Sequence, residues 1–175
     1  QLMAVVKADG YGHGAVTVAK AALRGGASSL GVATLQEGLE LRAAGINAPI
    51  LLLSALHSAD ELTRCHAFGL MPTLSSLEEA SLCERISAEK GGDPFPVQLK
   101  VDTGMSRLGA DWRVGAELVQ SIRAMPSLQL VGLYSHLACA DVEDVATTQL
   151  QHDRLNAVIN ALPVSYTHLT LPTTD

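Results

Sequence analysis

Leu30-Gly31-Val32-Ala33-Thr34-Leu35-Gln36-Glu37-Gly38-Leu39-Glu40-Leu41-Arg42-Ala43-Ala44-Gly45-Ile46-Asn47-Ala48-Pro49-Ile50-Leu51-Leu52-Leu53 holds one full structural period of this chain. An apolar run of strand length, 30–33, meets Thr34, and Glu37 follows three residues later. A hydroxyl that accepts from the helix's third backbone N–H, with a carboxylate reaching back, is a capping box and opens a helix. That helix, over 35–44, closes at Gly45, and a second apolar run begins at Ile50. Strand, helix and strand follow in one βαβ unit.

The same alternation extends in both directions. Apolar runs at 2–6, 30–33, 50–53, 70–73, 97–101 and 128–134 read as strands. Helical spacing of apolar residues marks 15–23, 35–44, 59–68, 77–88, 114–124 and 145–162. Further capping boxes are expected at Ser58/Glu61 and Ser75/Glu78, and Gly25-Gly26, Gly69 and Gly91-Gly92 mark helix ends. Strands that are continuous apolar runs separated by helices are buried on both faces. This implies a parallel α/β sheet, either a (β/α) barrel or an open doubly wound sheet. In both, chemistry gathers at the C-terminal ends of the strands.

Composition narrows the function classes. Of 175 residues, 47% are hydrophobic and 17% charged, the balance of a chain with a core. No apolar run approaches the roughly 18 to 20 residues that span a bilayer, and the first residues lack the pattern of a secretory signal. A formal charge of −6, without a basic run, argues against nucleic acid as partner. Cys65, Cys83 and Cys139 are odd in number and form no C-x-x-C pair, so neither a disulfide framework nor a metal site is expected. A reducing, cytoplasmic setting follows. Residues 163–175 break the pattern: they are Thr-rich, without helical period, and read as a non-native or disordered tail resembling translated sequencing-adapter DNA. The alternative is an extended segment entering a further strand.

Three strand ends carry candidate chemistry. The first ends in Lys7, followed by Ala8-Asp9-Gly10-Tyr11-Gly12-His13-Gly14. An amine at the end of a buried strand is partly desolvated and is a candidate imine-forming nucleophile and proton carrier. The glycines let backbone approach an anion such as phosphate, with Tyr11 placed to donate its hydroxyl. A snorkelling surface lysine is the competing reading. The fifth strand runs into Lys100-Val101-Asp102-Thr103-Gly104-Met105-Ser106-Arg107-Leu108-Gly109. Alternation places Lys100 and Asp102 on one face, where buried charges need pairing, and Arg107 presents a planar fork to a carboxylate or phenolate. A structural ion pair with a solvated arginine is the alternative. The sixth ends in Tyr134-Ser135-His136, where the histidine is a base, a ligand, a flat partner for a ring, or a core residue.

Ala4 to Gly14, Gly31-Val32-Ala33-Thr34 with Glu37, Ala48-Pro49-Ile50-Leu51, Lys100 to Gly109, and Tyr134-Ser135-His136 with Ala140-Asp141 together resemble bacterial alanine racemase. The motifs occur in order across residues 1–162. The resemblance implies an isomerase with an N-terminal (β/α)8 TIM-type barrel that binds pyridoxal 5′-phosphate, followed by a β-rich domain, in a cytoplasmic homodimer. About six βα units are present, so 1–162 would be an incomplete barrel without the β domain. By matched position, Lys7 would carry the covalent link to the cofactor and act as one of two bases. Tyr11 would contact the phosphate, and Arg107 would bond the phenolic oxygen and the substrate carboxylate. Lys100, possibly carbamylated, would support Arg107, and His136 would lie against the pyridine ring. The implied reaction interconverts L- and D-alanine for peptidoglycan synthesis by two-base proton transfer, with the isolated 175 residues inactive. A racemase of broader amino-acid specificity and a pyridoxal-phosphate-binding homeostasis protein are the alternatives. The family usually has Ala or a similar small residue where this chain has Gly10, a departure expected only to loosen the loop.

Overall fold

The computed structural model describes residues 1–143 and 145–163; residues 164–175 of the expected tail lie outside the described residues. Two compact units divide the chain, the first over Gln1–Thr73 and the second from Leu74 onward.

In the first unit, β1 (Met3–Val5), β2 (Ser29–Val32), β3 (Ile50–Ala55) and β4 (Met71–Leu74) pair in chain order, each parallel to the last. Registers Ala4↔Leu30, Gly31↔Leu51 and Leu51↔Met71 show why the runs are continuously apolar. Leu30, Val32, Ile50 and Leu52 have no exposure at all, each burial stabilising by about 1.5–3 kcal/mol. The helices α2 (Ala15–Arg24), α3 (Leu35–Ala43) and α4 (Ala59–Ala67) alternate with these strands. Close packing of α3 on the sheet needs Gly38: a Cβ there would stand 2.9 Å from Leu70 Cδ1. At the other end of α3, the half-buried Arg42 guanidinium donates to four carbonyls: Ile46, Ala48, Phe68 and Gly69 at 2.7, 2.8, 3.0 and 2.8 Å. It thereby ties together the loops that precede β3 and β4. Burial holds its pKa below the ordinary arginine value.

In the second unit, β5 (Phe95–Asp102) pairs parallel with both β7 (Leu128–Tyr134) and the two-residue β6 (Ala110–Asp111). The helices are α5 (Leu77–Lys90), α6 (Gly115–Arg123) and α7 (Ala146–Asn160). Phe95, Val97, Leu99, Val101, Val119 and Ile122 are buried to 2% exposure or less. Among the described residues no helix is long and apolar enough to cross a membrane.

The strand and helix expectations hold to within a few residues, with three corrections. The box expected at Ser75/Glu78 is a simple N-cap one residue later, where Ser76 Oγ accepts from Glu79 N–H at 3.2 Å, and the one expected at Ser58/Glu61 is likewise an N-cap, with Ser58 Oγ accepting from Glu61 N–H at 3.1 Å. Glu79 has a second reason to be the third residue, because its Oε2 accepts from Ser75 N–H at 2.6 Å and from Ser75 Oγ at 2.9 Å. The described residues also hold a seventh strand, β6, which two residues cannot announce by periodicity.

Candidate active site

Lys7 begins a segment assigned helical, α1 (Lys7–Gly12), that no right-handed helix describes. Ala8, Asp9, Gly10 and Tyr11 have φ of 51°, 53°, 61° and 55° with ψ between 39° and 52°, a full turn of left-handed helix. For L-residues this costs roughly 1–2 kcal/mol each, so Ala8, Asp9 and Tyr11 store roughly 3–6 kcal/mol. Only Gly10 adopts it without penalty. Gly10 is buried, and a Cβ would stand 3.0 Å from Val18 Cγ2, so glycine here relieves strain and packs closely against α2.

Such a turn persists only when its surroundings over-determine it. Two carboxylates do so. Asp9 Oδ1 accepts from Ala15 N–H at 2.7 Å and thereby caps α2, whose own N-cap, Gly14, has no side chain to offer. Glu37 Oε1 accepts from Ala8 N–H at 2.7 Å, while Oε2 accepts from Ala33 and Thr34 N–H at 2.7 and 3.1 Å. The carboxylate that completes the α3 capping box is thus also bonded to the residue that follows Lys7. The half-buried lysine is held between the buried Val6 and this clamped turn, with the phenol of Tyr11 exposed four residues on.

In the second unit, one narrow cleft is lined by Lys100, Asp102, Arg107, Ser135 and His136 together with Val101, Met105 and Leu108. Its floor is set by strand register: Lys100 pairs with Tyr134, and the buried Lys100 Nζ lies 5.7 Å from the Tyr134 ring centroid. Asp102 closes a turn rather than simply facing Lys100, since its Oδ1 accepts from Gly104 and Ser106 N–H at 2.9 and 3.0 Å. Ser106, next to Arg107, has φ of 58°, so this loop too carries left-handed backbone. Gly109 ends it at φ of 127°, where a Cβ would lie 2.7 Å from Asp102 N. Arg107 and His136 present exposed side chains at the cleft.

Lys100, Arg107 and His136 therefore line one cleft, and Lys7 and Tyr11 share one turn in the other unit. Three residues were missed or undervalued by sequence reasoning. Glu37 reads as a helix cap, and only the fold shows its third bond. Ser135 carries no signal of its own in the sequence beyond its place beside His136. Gln151 lies one turn and two turns from Leu155 and Val158 on the face of α7 that packs inward; a polar residue on that stripe was the available signal.

A family model described as the alanine racemase N-terminal domain matches residues 1–171. The chain belongs to the alanine racemase family. Alanine racemase of Prochlorococcus marinus is 61% identical over 142 residues, covering 81% of this chain and 36% of the relative. Alanine racemase of Nostoc sp. is 48% identical over 160 residues, covering 91% of this chain and 42% of the relative. Among solved structures, alanine racemase from E. faecalis superposes with a TM-score of 0.87 at 36% identity, covering 93% of this chain and 44% of that one. A histidine racemase from Leuconostoc mesenteroides gives 0.84 at 27% identity, covering 94% of this chain and 44% of that one. The chain thus spans less than half the length of these relatives. The fold class is parallel α/β, that of the family's TIM-type barrel domain, with the barrel incomplete.

The alanine racemase family depends on pyridoxal 5′-phosphate. The donor set here fits that group. Within the first unit Lys7 offers a primary amine for an aldehyde and Tyr11 a phenol for a phosphate oxygen; within the second, Arg107 offers a guanidinium for an anionic oxygen.

Proposed function

We propose that this chain supplies the lysine-bearing part of a pyridoxal-phosphate-dependent alanine racemase, with Lys7, Tyr11, Lys100, Arg107 and His136 in the roles that their matched positions imply. The observation that carries the reading is Lys7 at a strand end, leading into a left-handed turn clamped by Glu37 and Asp9. A surface lysine has no use for roughly 3–6 kcal/mol of stored strain; a lysine whose amine must meet one carbon atom does.

When bound, pyridoxal 5′-phosphate supplies an electron sink that makes the substrate Cα–H acidic. Lys7 would hold it through Nζ and would carry a proton to or from Cα on one face. Tyr11 would donate its hydroxyl to the phosphate. The Arg107 fork would bond the phenolic oxygen and orient the substrate carboxylate. Lys100, carbamylated or free, would support Arg107, and His136 would pack against the pyridine ring. The base for the opposite face comes from chain beyond the matched region, and the full-length protein acts as a cytoplasmic homodimer that supplies D-alanine for peptidoglycan.

Full-length protein incubated with L-alanine in deuterium oxide tests this. The expected result is D-alanine carrying Cα deuterium; retention of L-alanine with no exchange would overturn the reading. The likeness to a histidine racemase favours a second reading, a racemase of broader specificity. The same exchange assay run on histidine separates the two.

A further inference from the structure

Gln151 is 1% exposed, yet it is polar, and three side-chain hydrogen bonds join it to segments that border the Arg107 cleft. Its Oε1 accepts from Ala138 N–H at 2.8 Å. A backbone N–H can only donate, so this bond fixes which end of the amide is oxygen. The two Nε2 hydrogens then go to the His136 carbonyl at 3.0 Å and to Thr103 Oγ1 at 3.1 Å. Thr103 is itself 1% exposed, and its Oγ1 lies 2.7 Å from Ser135 Oγ. Having accepted from Gln151, the Thr103 hydroxyl has one hydrogen to place, and Ser135 Oγ is the acceptor beside it. Either hydroxyl can donate within that pair, and the direction that places the buried Thr103 hydrogen runs from Gln151 to Thr103 to Ser135. The hydrogen left over is that of Ser135, which lines the cleft with Lys100, Asp102, Arg107 and His136.

We propose that Gln151 is a positioning residue that locks the segments after β5 and β7 together and aims the Ser135 hydroxyl hydrogen at an anionic oxygen of the ligand held beside Arg107. This rests on the pyridoxal-phosphate reading above. Arg154, one turn further along α7, reinforces the lock by donating from Nη1 to the Thr103 carbonyl at 2.8 Å. The direction of the chain is what distinguishes this role from simple packing. In Gln151→Glu the ionised side chain keeps its length but only accepts, so the Thr103 hydrogen turns toward it. Ser135 then donates to Thr103, and the cleft loses its donor.

The test titrates pyridoxal 5′-phosphate onto full-length protein by absorbance, in wild type, Ser135→Ala, Gln151→Glu and their double variant. Borohydride trapping at Lys7 is run alongside. Each single change is expected to raise Kd at least fivefold. The double variant is expected to match the weaker single within twofold, because both remove the same hydrogen bond. Thr103→Ser, which keeps the hydroxyl, stays within twofold of wild type. Losses that multiply in the double variant, or Gln151→Glu binding like wild type, overturn the proposal. If Gln151→Glu fails to fold by circular dichroism, Thr103→Val and Ser135→Ala complete the same cycle with the same criteria. Absence of a Lys7 adduct in wild type overturns the cofactor reading beneath it, a failure distinct from multiplying losses.

Discussion

Changing Glu37 to glutamine separates its two duties, because one oxygen serves the Lys7 turn and the other serves the helix cap. Glu37 Oε1 takes Ala8 N–H, and Oε2 takes Ala33 and Thr34 N–H. Glutamine has one oxygen, and its NH2 cannot accept. Turning the oxygen toward Ala33 and Thr34 keeps two bonds and sacrifices one, so the Ala8 bond is lost. A hydrogen bond to a charged acceptor contributes about 1.5–3 kcal/mol, discounted to about 1–2 kcal/mol because Ala8 is exposed and water replaces part of it. That is a factor of about 5–30 in local opening. Amide exchange in Glu37→Gln should therefore quicken about 5–30-fold at Ala8 and less than about 3-fold at Ala33 and Thr34. Glu37→Ala should quicken all three. Ala8 protection unchanged in Glu37→Gln, or lost equally at Thr34, would refute the clamp. The left-handed turn would then need another explanation for its persistence.

Other outcomes follow from the same geometry. Gly109→Ala forces a Cβ to 2.7 Å from Asp102 N at a φ of 127°, and about 2–3 kcal/mol of destabilisation is expected, measured as a fall in the urea midpoint. Arg42→Met abandons four carbonyls and should cost about 2–4 kcal/mol by the same measurement while leaving the Lys7 adduct intact. The Cys83 thiol is pushed up from 9.0 to about 12 by burial and then by the charge of Glu79. Its neutral form is the one the fold favours, so this contribution is whole below 9.0 and is lost as pH rises toward about 12. Iodoacetamide at about pH 8 should modify half-buried Cys139 in the native protein and reach Cys83 only on unfolding, as read by peptide mapping.

The layers of this fold were legible because β2 and β4 are almost wholly buried and α3, α4 and α5 open with side-chain caps. Thr34/Glu37 marked α3 without ambiguity. The cap expected at Ser75 falls on Ser76, and the bonds from Ser75 to Glu79 that set this register are not visible in periodicity. The left-handed turn after Lys7 was not legible. Ala8, Asp9 and Tyr11 prefer other backbone states, and the bonds that hold them come from Glu37, 29 residues from Ala8, and from the start of α2. Lys100, Arg107 and His136 stand out in the sequence because strand ends are where such folds gather chemistry, and one cleft lines up all three. Gln151 was passed over because a single polar residue on a helix stripe is visible only against the burial of its neighbours.

The most direct test is where the cofactor becomes attached. Full-length protein incubated with pyridoxal 5′-phosphate, reduced with borohydride and digested should yield one modified peptide, labelled at Lys7. Labelling at Lys20, Lys90 or Lys100 instead, or at none of the chain's lysines, would contradict the assignment of this strand end as the seat of the chemistry.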